Sequence, residues 1–296
     1  MTTAVLLAAA LAFTPSDATN AFEVARTLAV EYSPRDAGTP RGRLAARWLC
    51  GQVNRCGADA RLDSFSAPTP DGEGAFANVV AEFPSSRTNG WVVIMSHYDT
   101  AVGIGPGFQG ANDGASTCGL LVALAGAIRR ARADGFDLPV ELLFTDAEEK
   151  RVAYSANDGF QGSRHRAAYY KAHPDRRIAA AICVDMLGDR DLHVSIPPNG
   201  DEGLKLLAMR AAEKAGLKSS VSMMKPGVTM LDDHQSFVAE GFPAIDLIDF
   251  QFGSRRGLND YWHTEADTID KISPDSLWKA GRIVVELLNL LAGQSM

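Results

Sequence analysis

His97 and Asp99 follow directly on an apolar run that ends at Met95. Asp146, Glu148 and Glu149 follow a second that ends at Thr145, and Asp185 closes a third that begins at Ile178. Runs of β-forming apolar residues of this length read as buried strands. In an open parallel sheet the carboxyl ends of the strands gather along one edge, where ligands bind. Three strands therefore deliver several carboxylates and an imidazole to one place. Grouping carboxylates in a protein interior costs too much unless a cation or a shared proton neutralises them. A divalent metal answers that cost. Each residue alone reads equally well as the N-cap of the next helix. The adjacent pair Glu148-Glu149 resists that reading, because neighbouring turn residues diverge, so one can bind metal while the other faces a substrate as a base. With Asp99 two residues on, His97 fits an Asp–His pair in which the carboxylate holds the ring's other N–H. Asn112-Asp113-Gly114 reads as a turn or cap ahead of a helix.

The elements that must carry these residues alternate. Residues 78–83, 91–95, 140–145, 178–184 and 244–248 read as strands, and 21–30, 41–55, 115–133, 162–172, 204–215 and 274–292 as helices. A Pro/Gly-rich turn covers 34–40, and 197–203 and 249–259 read as the mobile loops. Such alternation predicts an α/β fold: a three-layer α/β/α sandwich about a central mixed, mostly parallel twisted sheet. No internal repeat or low-complexity tract interrupts it.

Composition sets the class. The 296 residues, 46% apolar and 22% charged, suit one large soluble domain with a real core. A net charge of −7 argues against a nucleic-acid partner, and no apolar run approaches the ~20 residues of a membrane span. Cys50, Cys56, Cys118 and Cys183 form no zinc-knuckle spacing or disulfide framework and read as small buried hydrophobes. Residues 4–13 form an apolar run followed by Thr14-Pro15-Ser16-Asp17, which reads as an export leader over 1–17 ahead of a single catalytic domain, 18–296. That predicts a periplasmic or secreted protein. No Lys or Arg precedes Arg26, so a short helix packed on a cytoplasmic protein is the other reading.

Five motifs in order resemble the M28 zinc aminopeptidase family: Ser96-His97-Tyr98-Asp99-Thr100, Gly110-Ala111-Asn112-Asp113-Gly114-Ala115, Asp146-Ala147-Glu148-Glu149, Asp185, and Trp262-His263-Thr264 with Asp267. The resemblance runs from about residue 78 to the C-terminus and implies the phosphorylase/hydrolase-like fold of zinc aminopeptidases. It implies that Asp113, Glu149 and His263 hold one zinc. His97 and Asp185 would hold a second, bridged by Asp113, and Glu148 would be the general base. N/O ligands of this kind suit zinc. The resemblance also implies a cis Asp113–Gly114 peptide, and places for His97, Asp99 and Asp267 just behind the metal's ligands, where they orient those ligands without touching the ion.

Within that family the chain most resembles the glutaminyl cyclase branch, which turns the N-terminal glutamine of a peptide into pyroglutamate with loss of ammonia. The segments that carry this are 158–165 with its Gly-Ser-Arg-His, Asp185-Met186-Leu187-Gly188, Asp232-Asp233-His234 with Phe237, and Trp262 before His263. A peptidase needs a metal-activated water and an oxyanion donor. A cyclase uses the substrate's own amine, so it needs a polarised amide, a proton shuttle and a dry wall. Glu148, Asp185 and Asp232 would share the proton, and Trp262 and Tyr154 would face the substrate. Four departures from the cyclase pattern stand out: Ser96 replaces a cysteine of the animal enzymes, the 101–110 loop is shorter, Tyr154 stands where an indole is expected, and the 249–259 loop differs. One zinc per chain is implied for a cyclase and two for an aminopeptidase, with a monomer and peptide N-termini as partners in either case. A catalytically silent peptide-binding domain is the third reading.

Overall fold

The computed structural model describes residues 10–86 and 90–293. One eight-stranded sheet runs through it in the order β1-β2-β4-β3-β5-β8-β6-β7. The strands are β1 (Asp59–Thr69), β2 (Gly72–Phe83), β3 (Trp91–His97), β4 (Val140–Thr145), β5 (Ile178–Asp185), β6 (Val194–Ile196), β7 (Val221–Met223) and β8 (Ala244–Ile248). The centre, β4-β3-β5-β8, is parallel throughout, while β1 and β2 form an antiparallel hairpin at one edge and β6 meets β8 antiparallel. The predicted mixed, mostly parallel sheet is present.

Helices cover both faces. Helices α1 (Pro15–Glu31), α2 (Pro40–Arg55), α3 (Thr117–Ala133), α5 (Glu202–Lys214) and α7 (Pro274–Gly293) share one core with Val92, Ile94, Leu142 and Phe144. Helices α4 (Gln161–Ala172) and α6 (His234–Ala239) enclose the other with Val93, Met95, Leu143 and Cys183. Neighbouring strand residues alternate between the two cores, as a pleat of period two requires. The stretch 111–133 is apolar enough to cross a bilayer, but it is 94% buried inside the fold and serves as its central helix. All four cysteines are free.

Residues 1–9 of the expected leader lie outside the described residues. Thr14 to Asp17, which read as the end of that leader, form a capping box that starts α1 six residues before the expected 21. Leu11 and Phe13 are buried against the core. The hairpin partner β1 was not expected, because its alternation is largely exposed and polar, and an edge strand of that kind shows little apolar periodicity. β6 and β7 escaped notice because each spans three residues.

Candidate active site

The carboxyl ends of the parallel strands carry the site. His97 is the last residue of β3 and Asp185 the last of β5, while Glu148 and Glu149 leave β4 through Ala147, whose φ is 55°. Asp113 sits in a π turn over Ala111–Ser116 that leads into α3, and His263 comes from the long loop after β8. Ala147, Met186 and His263 are three of the four non-glycine residues with positive φ among the described residues, and each lies in or beside the site. Such conformations persist only where the surroundings enforce them.

Asp113 lies between two imidazoles. Its Oδ1 is 3.0 Å from His97 Nε2 and its Oδ2 is 3.2 Å from His263 Nε2. Glu149 Oε1 is 3.0 Å from the same nitrogen of His263, and Asp185 Oδ1 is 3.3 Å from His97 Nε2. Donor atoms of His97, Asp113 and Glu149 come within 4.8 Å of one another, a spacing that suits a metal ion. Buried Asp113 Oδ2, Glu149 Oε2 and Asp185 Oδ1 have no hydrogen-bond donor among the described residues. Acceptors stranded in this way, opposite imidazole nitrogens, are what a divalent cation satisfies. The residues present fit zinc.

Electrostatics agree. Burial works against a charged His263, yet Asp113 and Glu149 raise it to about 10. Burial likewise opposes the charge on His97, which the carboxylates of Asp113 and Asp185 beside it raise well above the usual imidazole value. Burial and the adjacent Asp113 push Glu149 up to about 7. The two rings bind protons where a cation would otherwise sit, and a metal would displace them.

The outer contacts hold this set in place. Asp267 accepts the backbone N–H groups of Asn112 at 2.8 Å and Asp113 at 3.1 Å. Asp99 departs from the expected Asp–His pairing: its carboxylate is 3.7 Å from His97 Nδ1, which lies 3.2 Å from the Asp99 carbonyl oxygen instead. The carboxylate accepts the N–H groups of Glu148 and Glu149, each at 3.1 Å. Those stronger, charge-assisted bonds occupy its oxygens. The Asp113–Gly114 peptide also departs from expectation, because it is not cis. The turn is made by ψ 95° at Asp113 and φ 87° at Gly114, where a Cβ would lie 2.9 Å from His97 Cε1. Only glycine suits that position.

Beside the donors is a cavity of about 320 Å³. Glu148, Asp185 and Asp232 line it together with Tyr154 and Trp262. Tyr154 Oη donates to Glu148 Oε1 at 3.4 Å and its ring stacks on Phe160. Trp262 lies over His263 at 4.1 Å between ring centres and meets Phe250 edge-on. Burial first, then Glu149 and Asp232, raise Glu148 well above the usual carboxyl value. Burial, Asp185 and Asp233 do the same to Asp232. Both carboxyls therefore hold a proton more readily than a free carboxylate.

Four contributors were given no role from the sequence, although Asp158 and Asp233 stand in segments that carried the family resemblance. Arg35 is fully buried and donates to the carbonyls of Tyr98, Gln109 and Gly110, pinning the loops that hold His97 and Asp113. Asp158 accepts three backbone N–H groups, from Arg151, Val152 and Ala153, and so shapes the turn that presents Tyr154. Asp233 accepts from Thr145 Oγ1 and fixes the entry to α6. No local signal announces Arg35. Asp246 was detectable as a lone acid inside the apolar strand 244–248.

Comparison with known proteins places this geometry in context. Residues 78–288 match the family model described as Peptidase family M28. A mouse glutaminyl-peptide cyclotransferase-like protein is 28% identical over 256 residues, covering 78% of this chain and 65% of its own length. The chain thus spans about two thirds of that relative. The crystal structure of an Acidobacteriales bacterium glutaminyl cyclase superposes with a TM-score of 0.85 at 30% identity, covering 98% of both chains. A Fimbriiglobus ruber glutaminyl cyclase follows at TM-score 0.80 and 24% identity, covering 94% of this chain and 97% of its own.

Proposed function

The chain belongs to peptidase family M28, and from that premise we propose that it is a zinc-dependent glutaminyl cyclase acting on the N-terminal glutamine of peptides. The observation that carries the reading is the carboxyl cluster. Glu148, Asp185 and Asp232 line one cavity beside the donors of Asp113, Glu149 and His263, under the apolar face of Trp262. Both reactions need a proton shuttle, but cyclisation needs it beside a wall that excludes water, whereas hydrolysis must admit one.

Asp113, Glu149 and His263 would hold one zinc, which supplies Lewis-acid polarisation of the glutamine γ-carbonyl. Trp262 and Tyr154 flank the side chain and exclude water. The α-amine of the substrate attacks the carbonyl carbon of its own side-chain amide, forming the ring C–N bond, and the bond from that carbon to the amide nitrogen breaks. Glu148, which does not take part in holding the metal, accepts the proton from the amine and returns it to the departing nitrogen, which leaves as ammonia. Its raised proton affinity matches that double duty. Asp185 and Asp232 keep the shared proton near Glu148.

A second reading rests on one observation. His97 Nε2 stands 3.0 Å from Asp113 and 3.3 Å from Asp185, an arrangement that also suits a second cation and an aminopeptidase. Glutaminyl and leucyl naphthylamides separate the two readings. A cyclase releases naphthylamine from the glutaminyl compound only when a pyroglutamyl-specific helper peptidase is added, and leaves the leucyl compound intact. Direct release from leucyl naphthylamide would make the protein a peptidase.

A further inference from the structure

Asp246 lies inside the central strand β8, directly across from Cys183 on β5. It is 1% exposed, and neither of its carboxylate oxygens meets a protein donor among the described residues. The carboxyl of Asp232 is within hydrogen-bonding reach. Donor atoms of Cys183, Asp232 and Asp246 lie within 4.8 Å of one another. Asp232 Oδ1 is already served, by the Asp233 N–H at 2.5 Å and the Cys183 thiol at 3.2 Å. Its Oδ2 has no donor. Two buried carboxyls facing each other without donors cannot both ionise, since the repulsion and the lost hydration are uncompensated. One proton between them removes both costs and supplies the missing donor.

We propose that Asp246 is a positioning residue for the cyclase reaction: a neutral carboxylic acid whose O–H donates to Asp232 Oδ2 and fixes that carboxylate toward the cavity. The proton stays between the two carboxyls and takes no part in turnover. With Oδ1 held by Asp233 and Cys183 and Oδ2 by Asp246, Asp232 has all its inner acceptors filled. It is then held facing Glu148 and cannot rotate away from it. Burial and the neighbouring Asp232 and Asp185 raise Asp246 well above the usual carboxyl value. A cation among Cys183, Asp232 and Asp246 is the competing occupant. The thiol argues against it, because burial and nearby Asp232 keep Cys183 well above its usual value and hence protonated.

This inference rests on the cyclase reading, and the test keeps the two apart. Pyroglutamate formation from a glutaminyl dipeptide is measured for the zinc-loaded wild type, Asp246→Asn and Asp246→Leu. Asn keeps an N–H donor for Asp232, so its kcat should stay within about threefold of wild type. Leu strands Asp232 Oδ2, so kcat should fall about 10–100-fold, the usual consequence of a buried unpaired polar group, with KM nearly unchanged. Asp246→Ala replaces the Leu variant should that one fail to fold. Because Asp246 acts only through Asp232, adding Asp246→Leu to Asp232→Asn should cost little further. Wild-type kcat in the donor-free variants, or an equal loss in Asn and Leu, overturns the inference. So does the loss of one metal ion per chain in Asp246→Asn. A wild type that forms no pyroglutamate at all overturns the cyclase reading instead.

Discussion

Asp99 holds Glu149 by its backbone: Asp99 Oδ2 accepts the Glu149 N–H at 3.1 Å, while Oδ1 accepts that of Glu148 at the same distance. One buried carboxylate on the loop after β3 thereby sets the orientation of both glutamates on the loop after β4. Its role is to aim two other carboxylates, one toward the metal donors and one toward the cavity.

Asp99→Ala removes both anchors at once. Loss of such an outer contact typically costs about 10–100-fold in metal affinity or activity. We expect zinc affinity and turnover both to fall by that order while the far-ultraviolet circular dichroism stays unchanged. Competition with a zinc-binding dye measures the first. Unaltered zinc affinity would show that Asp99 does not orient Glu149.

Glu148→Gln keeps size and hydrogen bonding but cannot shuttle a proton. General acid–base catalysis contributes about 10²–10⁴-fold, so kcat should drop by at least that lower figure while the zinc content is retained. A variant that turns over normally, or that loses its zinc, would make Glu148 a structural residue or a ligand.

Zinc removal tests the count. Dialysis against a chelator should abolish activity, and one equivalent of zinc per chain should restore it, bound by Asp113, Glu149 and His263. Elemental analysis of the dialysed protein decides the matter. Two tightly held ions per chain would instead assign His97 and Asp185 as ligands.

Trp262→Ala opens the apolar wall above His263. Burying an aromatic face contributes about 1.5–3 kcal/mol, so KM for a glutaminyl peptide should rise roughly tenfold or more, with zinc binding intact. An unchanged KM would mean that Trp262 only packs on Phe250.

Asp146 gives a pH prediction. Burial and the nearby Asp99 raise its carboxyl to about 7. The folded state therefore holds a proton that the unfolded chain releases near pH 4, and stability falls as pH rises between those values. Asp146→Asn can still accept the Ala77 N–H, which Asp146 Oδ2 receives at 2.9 Å, yet it carries no such proton. The stability lost between pH 5 and 7 in urea melts should shrink by roughly 1–3 kcal/mol relative to wild type. An identical pH slope in both proteins would sink this assignment.

Much of this protein was legible in its residues. Strand runs at 140–145 and 244–248 appear with the expected bounds, because a strand buried on both faces is apolar along most of its length. His97, Asp113, Glu148, Glu149, Asp185, Asp232 and His263 were picked out by their places after strands and by ordered motifs, and folding brings them to one sheet edge. The hairpin strand β1 was not legible, since its partly exposed edge leaves too few apolar residues to mark a period. Nor was the start of α1, where one Thr-Pro-Ser-Asp sequence fits both a leader's exit and a helix cap. Contacts between distant segments lay further still from view. That Asp99 serves two backbone N–H groups some 50 residues on, that Arg35 pins the loop of Asp113, and that Asp246 faces Asp232 all depend on how β3, β4, β5 and β8 lie side by side. Residue type and local spacing fix which groups are able to react. Only the packing of the sheet decides which of them meet, because a hydrogen bond is set by position in space and not by separation along the chain.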